Sequence, residues 1–221
     1  MKHLAVIMDG NGRYGLLREG DRSSGYQAGA EAFVRLLSDF AEFPFPFLTV
    51  YAFSTENNKR NSQEVSNIFH IIAYFLKKKV YPIAKEKGIG IRFIGNLEGL
   101  SAGMRIVLSE APSANQDKNV LIALNYGGMD EIVRSAQKTL ARGEAITAQT
   151  LKKNSDLTFV PDPDAIVRYG GYKRISNFLL MHCAYSELFF LDKLWPEYET
   201  KDITDVLGKY EKIKRNFGES C

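Results

Sequence analysis

The sequence predicts an α/β fold, a single domain with a mostly parallel central sheet of about six strands flanked by helices. Short apolar runs alternate along the chain with longer stretches of helical periodicity, which is typical of strands that helices cover on both faces. The apolar runs predict strands at 3–8, 47–54, 90–95, 120–125, 165–169 and 188–191. The stretches between and after them predict helices at 25–42, 62–87, 98–115, 129–142, 176–183 and 200–215.

Length and composition agree with this fold class. The 221 residues can bury one substantial core, and no linker or repeat divides them, so we expect one domain over 1–221. The net charge of +3 is too small to indicate nucleic acid as a partner. No apolar run approaches the roughly 18 residues of a membrane span, and Cys183 and Cys221 lack metal-type spacing. We therefore expect a cytoplasmic protein with at most peripheral membrane contact.

The loop after the first strand is the first candidate site, because ligands of parallel sheets bind beyond the carboxyl ends of strands. Gly10 and Gly12 allow backbone amides to turn towards an anion, and Arg13 offers a planar fork for phosphate oxygens. Asp9 is a hard oxygen donor of the kind that Mg²⁺ prefers. A glycine turn with solvated charges explains the same composition about equally well.

A second cationic segment follows the fifth predicted strand. Arg168, Lys173 and Arg174 flank a glycine pair, and Ser176 is a candidate N-cap of the next predicted helix. A solvated basic loop is a slightly better explanation of this segment alone. Two such segments at one sheet edge favour anion binding.

Two further features have open interpretations. Glu187 stands between apolar residues, where a carboxylate needs a metal, an arginine or a structural ion pair as its partner. The helices after Gly25 and over 65–76 are apolar on more than one face. Such helices form either a plain core or an apolar tunnel for a long hydrophobic tail.

The ordered set of motifs resembles the cis-prenyltransferase family, most closely the bacterial undecaprenyl diphosphate synthases. The first motif runs from His3 to Arg13, and the last is Arg215-Asn216-Phe217-Gly218. Any one motif is a weak signal, but the complete order is specific. In chain order the motifs are 3–13, 51–57, 125–128, 174–180, 184–188, 195–196 and 215–218.

The resemblance implies a reaction. Isopentenyl diphosphate is condensed repeatedly onto an allylic diphosphate, usually farnesyl diphosphate, and each new double bond is cis. The implied product is undecaprenyl diphosphate, the carrier lipid of cell-wall glycans. The resemblance also implies Mg²⁺ as cofactor, because a cation stabilises the departing diphosphate. It further implies a homodimer in which the tail at 215–218 reaches the neighbour's site.

The resemblance also assigns roles to residues. It makes Asp9 and Asn57 catalytic and makes Asp9 and Glu187 the magnesium-linked carboxylates. It places the allylic diphosphate on 10–13 and Arg22, and the isopentenyl diphosphate on Arg168, Arg174 and Ser176. The implied substrate-binding residues are Gly10, Asn11, Gly12, Arg13, Tyr14, Arg22, Tyr26, Ser54, Glu56, Asn58, Arg60, Arg168, Arg174 and Ser176.

Four positions depart from the family pattern. Tyr14 and Asn58 replace tryptophans, Tyr26 replaces a histidine, and Tyr172 replaces a carboxylic acid. These departures leave two alternatives open, a different product length or condensation mode, and a non-catalytic partner subunit. The intact Asp9 motif and the second arginine cluster favour an enzyme.

Overall fold

A single six-stranded sheet forms the centre of the molecule. The computed structural model describes residues 1–113 and 117–214, and within them every pair of neighbouring strands is parallel. The predicted fold class is thereby confirmed, and "mostly parallel" becomes wholly parallel for the described strands. In the order β3-β4-β2-β1-β5-β6, the strands are β1 His3–Ile7, β2 Phe47–Ser54, β3 Ile89–Ile94, β4 Lys118–Tyr126, β5 Ala165–Arg168 and β6 Glu187–Phe190.

Helices connect the strands except between β5 and β6, where turns do so. One predicted helix, 62–87, is a continuous helical stretch in which a π-helical turn, Leu76–Val80, separates two α-helices. Pro82 lies two residues after this turn, and it lacks the N–H that a regular α-helix would need at that position. The helices are α1 Asn11–Glu19, α2 Arg22–Phe40, α3 Ser62–Phe75, α4 Tyr81–Glu86, α5 Ala102–Ser109, α6 Gly128–Ala141, α7 Ala148–Lys153 and α8 Thr200–Tyr210. Single 3₁₀ turns occupy Thr55–Lys59 and Trp195–Glu197.

One predicted helix is wrong and two helices were not predicted. Residues 176–183 form turns, because Ser176, Asn177 and Leu179 have positive φ angles of 49°, 61° and 49°. Left-handed backbone at successive positions is incompatible with a right-handed helix. The unpredicted helices are α1, which begins inside the glycine motif, and the short α7.

The register of the central strands determines where the loops meet. Ile7 of β1 pairs with Tyr51 of β2 on one side and with Arg168 of β5 on the other. The segments after these three strands therefore leave the sheet at one edge. Among the described residues, no helix has the length and apolar character needed to cross a bilayer.

Candidate active site

A polar cavity of about 630 Å³ lies at the carboxyl edge of β1, β2 and β5. The cavity brings together residues as far apart in the sequence as Ile7 and Asn177. The predicted site residues that line it are Asp9, Gly10, Asn11, Gly12, Arg13, Arg22, Tyr26, Ser54, Glu56, Asn57, Arg60, Arg168, Arg174 and Ser176.

Asp9 is the carboxylate at the centre of this cavity. Its Oδ2 accepts a hydrogen bond of 2.6 Å from Nη2 of Arg168, and its Oδ1 lies 3.5 Å from Nη2 of Arg13. The Asp9 side chain is 29% exposed, whereas that of Arg168 is 4% exposed. Asp9 is thus held by two guanidinium groups and still open to a ligand.

Arg168 connects Asp9 to the second cationic loop. Its Nη1 donates to the carbonyl oxygen of Arg174 at 2.6 Å and to Oγ of Ser176 at 2.7 Å. Its Nε is buried and has no hydrogen-bond partner among the described groups. In this arrangement Arg168 fixes the geometry between the two loops, and Arg174 and Ser176 stay at the cavity wall.

The first turn of α1 supplies backbone donors to the cavity. Gly10 has φ 110°, and a Cβ there would lie 2.8 Å from Cδ2 of Leu194, so only glycine fits before the helix. The first amides of an α-helix have no acceptor within the helix, and its N-terminus carries partial positive charge. The residues 10–13 line the cavity, and such a helix start is a ready anion site.

Close packing of α1 against α2 fixes this helix start. A Cβ on Gly25 would lie 1.9 Å from the carbonyl oxygen of Asn11, and one on Gly29 would lie 2.0 Å from Asn11 Oδ1. The packing also places the Arg22 guanidinium beside Gly12. The sequence analysis did not identify Gly25 and Gly29 as site residues, although their spacing of four places both on one helix face.

The 3₁₀ turn after β2 forms the next wall. The Ser54 amide donates to Asn57 Oδ1 at 3.0 Å, and the Asn57 amide donates to Ser54 Oγ at 3.2 Å. Asn177 Nδ2 donates to Glu56 Oε1 at 2.7 Å. Burial opposes ionisation of Glu56, but hydrogen bonds, led by the one from Asn177, outweigh it and lower its pKa. The Asn57 side chain is therefore oriented by its own turn.

The Tyr172 ring brings together cations from both cationic loops. Its ring centroid lies 4.1 Å from Cζ of Arg174, 4.7 Å from Cζ of Arg13 and 5.9 Å from Cζ of Arg168. The ring face attracts cations. The sequence predicted Tyr172 only as a missing acid, because its contact with Arg13, 159 positions away, exists only in the folded chain.

Glu64 is a site residue that the sequence analysis missed. It accepts hydrogen bonds from the Tyr26 hydroxyl and from Arg60 Nη1, the latter at 3.2 Å, and Arg22 Nε lies 4.0 Å away. In sequence, Glu64 occupies the first turn of α3, where an acid is ordinarily explained by the helix dipole alone. Its link to Tyr26 of α2 exists only in the folded chain.

Three predicted site residues lie outside the polar cavity. Tyr14 packs beneath Arg18, with 5.7 Å from the ring centroid to Cζ, and Asn58 donates to Asn125 Oδ1 at 2.9 Å. Glu187 pairs with Ala165 at the start of β5, three residues before Arg168. Three residues of strand span roughly 10 Å. Glu187 therefore lies at the amino ends of the strands, whereas Asp9 lies beyond their carboxyl ends. The fold does not bring the two carboxylates together within one chain.

Asp9 is the residue best suited to hold a magnesium ion at this cavity. No group of three or more His, Cys, Asp or Glu side chains within 1–113 and 117–214 is arranged to hold a metal. Mg²⁺ commonly binds through one or two carboxylates together with substrate phosphates and water. Asp9, a partly exposed carboxylate beside the guanidinium groups of Arg13 and Arg168, fits that mode. The predicted tail, 215–218, lies outside the described residues.

Comparison with protein families and curated relatives gives a consistent result. Residues 7–218 match the family model described as "Putative undecaprenyl diphosphate synthase". An isoprenyl transferase of Rickettsia bellii is 37% identical, with 99% of this chain and 98% of the relative covered. An isoprenyl transferase of Clostridium acetobutylicum is 38% identical over 98% of this chain and 89% of the relative.

Solved structures show the same fold. The lavandulyl diphosphate synthase of Lavandula x intermedia, in complex with dimethylallyl diphosphate, superposes with a TM-score of 0.90 at 26% identity, covering 99% of this chain and 98% of the other. A "probable undecaprenyl diphosphate synthase" of Campylobacter jejuni superposes with a TM-score of 0.81 at 29% identity, covering 99% of both chains. With the family model matched over nearly the whole chain, the protein belongs to the undecaprenyl diphosphate synthase family of prenyltransferases, and it is a prenyl transferase enzyme.

Proposed function

We propose that the protein condenses isopentenyl diphosphate with an allylic diphosphate in the polar cavity, forming a cis double bond. One observation carries this proposal: two cationic walls face each other across Asp9, and an apolar cavity opens beside them. Each cationic wall would bind one diphosphate, and the apolar cavity would hold the hydrocarbon chain of the allylic substrate.

The proposed binding mode follows from the two walls. The allylic diphosphate lies on the first-turn amides of α1 with Arg13 and Arg22, where charge-assisted hydrogen bonds are strongest. The isopentenyl diphosphate lies on Arg174 and Ser176. Arg168 holds the two walls at a fixed separation, which keeps the reacting carbons close and raises their effective concentration.

The bond changes follow from this placement. The bond between the allylic carbon and the diphosphate oxygen breaks, and the electron pair of the isopentenyl double bond forms the new carbon–carbon bond. A proton then passes from the isopentenyl unit to an oxygen of the departed diphosphate, which leaves a cis double bond. Asn57, oriented by Ser54, and Arg60 position the isopentenyl unit for this loss.

Asp9 is proposed to act at the leaving group. Asp9 would hold Mg²⁺, which would supply charge stabilisation for diphosphate departure. Asp9 also orients Arg168 and Arg13, whose positive charge stabilises the same leaving group.

Substitution of Asp9 tests the proposal. We expect Asp9→Asn to lower incorporation of labelled isopentenyl diphosphate by two or more orders of magnitude, because the amide still accepts a hydrogen bond from Arg168 but carries no charge. Asp205→Ala, on the exposed face of α8, is the matched control. Near wild-type incorporation by Asp9→Asn, or full wild-type activity in excess chelator, would contradict the role of Asp9.

For the product, we propose undecaprenyl diphosphate made from farnesyl diphosphate as the first candidate. The description of the family model and the Campylobacter jejuni relative support it. A second candidate is a shorter product or another condensation. It is favoured by the small apolar cavity, about 100 Å³, and by the likeness to lavandulyl diphosphate synthase. Chromatography of the product from each allylic starter distinguishes the two.

We also propose a homodimer. Met129, Val133 and Leu140 form an exposed apolar row on α6, and Leu188 is exposed on the edge strand β6. An exposed apolar row and a free edge strand are features that a second copy would cover. Sedimentation at micromolar concentration should give twice the mass of the chain, and a monomer there would contradict this proposal.

A further inference from the structure

Two cavities meet at one boundary inside the molecule. The polar cavity of about 630 Å³ and the apolar cavity of about 100 Å³ share lining residues. The shared residues are Met8, Asn11, Tyr26, Ala52 and Ile68. A hydrocarbon attached to a diphosphate in the first cavity must pass this boundary to enter the second.

The apolar cavity is short. Phe33, Phe75, Leu76, Val80 and Trp195 belong to its wall, and all five are buried. A dry apolar cavity of about 150 Å³ holds one six-carbon ring. A cavity of about 100 Å³ therefore holds about one five-carbon isoprene unit.

Tyr26 is fixed at the boundary by polar partners from another element. Its hydroxyl donates to Glu64 Oε1 and accepts from Arg60 Nη1 at 2.9 Å. Arg60 Nη1 also donates to Glu64 at 3.2 Å, and Asn67 Nδ2 donates to Ser23 Oγ at 2.6 Å close by. These bonds tie the start of α2 to the start of α3 across the passage.

The hydroxyl of Tyr26 remains a donor at working pH. Burial, followed by the hydrogen bond to Glu64, raises its pKa. Its two partners are both charged, and hydrogen bonds to charged groups are the stronger class. The ring therefore stays across the passage unless these bonds are exchanged for others.

We propose that Tyr26, held by Glu64 and Arg60, is a gate that limits the length of the allylic chain in the apolar cavity. This inference rests on the proposed function, because it takes the ligand to be an allylic diphosphate. With the gate closed, a starter of one or two isoprene units is accommodated, and longer chains are disfavoured. The gate thus makes the chain selective for short allylic diphosphates and ends growth early, so this inference selects the shorter product, the second of the two candidates above, over undecaprenyl diphosphate.

Binding without turnover tests the gate directly. Titration calorimetry with dimethylallyl, geranyl and farnesyl diphosphates, in Mg²⁺ and without isopentenyl diphosphate, gives three affinities for each variant. Each affinity is divided by that of inorganic diphosphate for the same variant, which removes effects on diphosphate binding itself. We expect the wild-type ratio to fall at least tenfold from dimethylallyl to farnesyl diphosphate, and Tyr26→Ala to reduce that fall to less than threefold.

Two further variants separate the effect of the Tyr26 ring from that of its polar partners, and a third is the control. Tyr26→Phe keeps the ring and removes the hydroxyl, and Glu64→Gln keeps the shape and removes the charge. Both should give ratios between wild type and Tyr26→Ala. Tyr185→Ala removes an exposed tyrosine that lines neither cavity and should leave the ratios unchanged.

The outcomes distinguish the gate from the proposed function. Equal length preference in wild type and Tyr26→Ala overturns the gate, as does a wild type that prefers farnesyl diphosphate. A variant that weakens every ligand equally, inorganic diphosphate included, makes Tyr26 a diphosphate contact instead. A length preference that Tyr26→Ala abolishes, in a wild type that incorporates no isopentenyl diphosphate, supports the gate and refutes the proposed reaction.

Discussion

At the scale of single residues, the contacts of Asp9 explain why its role in catalysis is hard to separate from its role in stability. Asp9 accepts from Arg168 and lies near Arg13, and Arg168 is almost fully buried. A substitution that removes the carboxylate therefore also removes a partner from a buried cation. These contacts indicate that Asp9→Ala loses stability as well as activity.

The two Asp9 variants should differ in stability. Asp9→Ala leaves Arg168 Nη2 without its acceptor, which should lower the free energy of unfolding by roughly 1–3 kcal/mol. Asp9→Asn keeps an oxygen acceptor and should lose less than half of that. Urea unfolding of both variants measures the difference, and equal losses would show that the Arg168 contact does not contribute to stability.

At the scale of elements, the approach of α1 to α2 builds the allylic wall. Gly15 and Gly25 are in contact across the interface, where a Cβ on Gly15 would lie 2.2 Å from the carbonyl oxygen of Asp21. Trp195 Nε1 donates to the carbonyl oxygen of Gly29 at 2.8 Å and fixes the same region of α2 from the other side. The position of the α1 N-terminus depends on these backbone approaches.

Adding a methyl group at this interface should separate the helices. Gly25→Ala places a Cβ 1.9 Å from the carbonyl oxygen of Asn11, so we expect the free energy of unfolding to fall by roughly 1–3 kcal/mol from overpacking. We also expect at least tenfold weaker binding of inorganic diphosphate. The control is Gly208→Ala in α8, where nothing lies within 4 Å. It should stabilise by up to about 1 kcal/mol. Unfolding and calorimetry check both, and unaltered diphosphate binding by Gly25→Ala would contradict the dependence on helix packing.

At the scale of the whole molecule, two buried histidines connect distant segments. His3 in β1 contacts the carbonyl oxygen of Pro161 and Thr49 Oγ1 of β2, at 2.6 and 2.7 Å. His182, in the turns before β6, contacts Asp162 at 2.8 Å and Glu131 of α6 at 3.1 Å. Their protonation therefore affects global stability.

The two histidines act in different pH windows. Burial lowers the pKa of His3 from 6.5 to about 4, so its contribution is fully present above 6.5 and is lost as the pH falls towards 4. Burial also opposes protonation of His182, but its hydrogen bonds to Glu131 and Asp162 and their charges outweigh burial and raise its pKa above 6.5. The contribution of His182 to the free energy of unfolding is present below pH 6.5 and is lost as the pH rises through its raised pKa.

Stability should consequently peak near pH 6.5 as far as these two groups determine it. The difference between a pKa of 6.5 and one of about 4 corresponds to about 3 kcal/mol in the free energy of unfolding for His3. Unfolding curves recorded from pH 4 to 8 measure this free energy. His3→Gln should flatten the acid side, and His182→Gln should flatten the alkaline side. His70→Gln, on the exposed face of α3, is the control, and an unchanged acid slope in His3→Gln would refute the assignment.

The wrong helix at 176–183 shows where periodicity fails. Its apolar residues, such as Phe178 and Leu179, are buried, so the hydrophobic signal was genuine. The backbone there is left-handed at three positions, and hydrophobic spacing contains no information on φ. Conversely, α1 was missed because glycines inside the motif obscured its helical start.

The sequence by itself determined the sheet, the helices with long apolar periodicity and the loops that contain the functional groups. These depend on local spacing and on the rule that parallel strands direct their carboxyl ends to one edge. The sequence also contained a signal against pairing Glu187 with Asp9. Glu187 comes just before a predicted strand and Asp9 just after one, so the two lie at opposite ends of parallel strands.

Only the tertiary structure decided which side chains meet. The pairing of Asp9 with Arg168, the contact of the Tyr172 ring with Arg13, and the bond from Tyr26 to Glu64 join residues 38 to 159 positions apart. Their distances depend on strand register and on how closely α1 approaches α2. Both are set by packing between elements, which no local pattern in the chain contains.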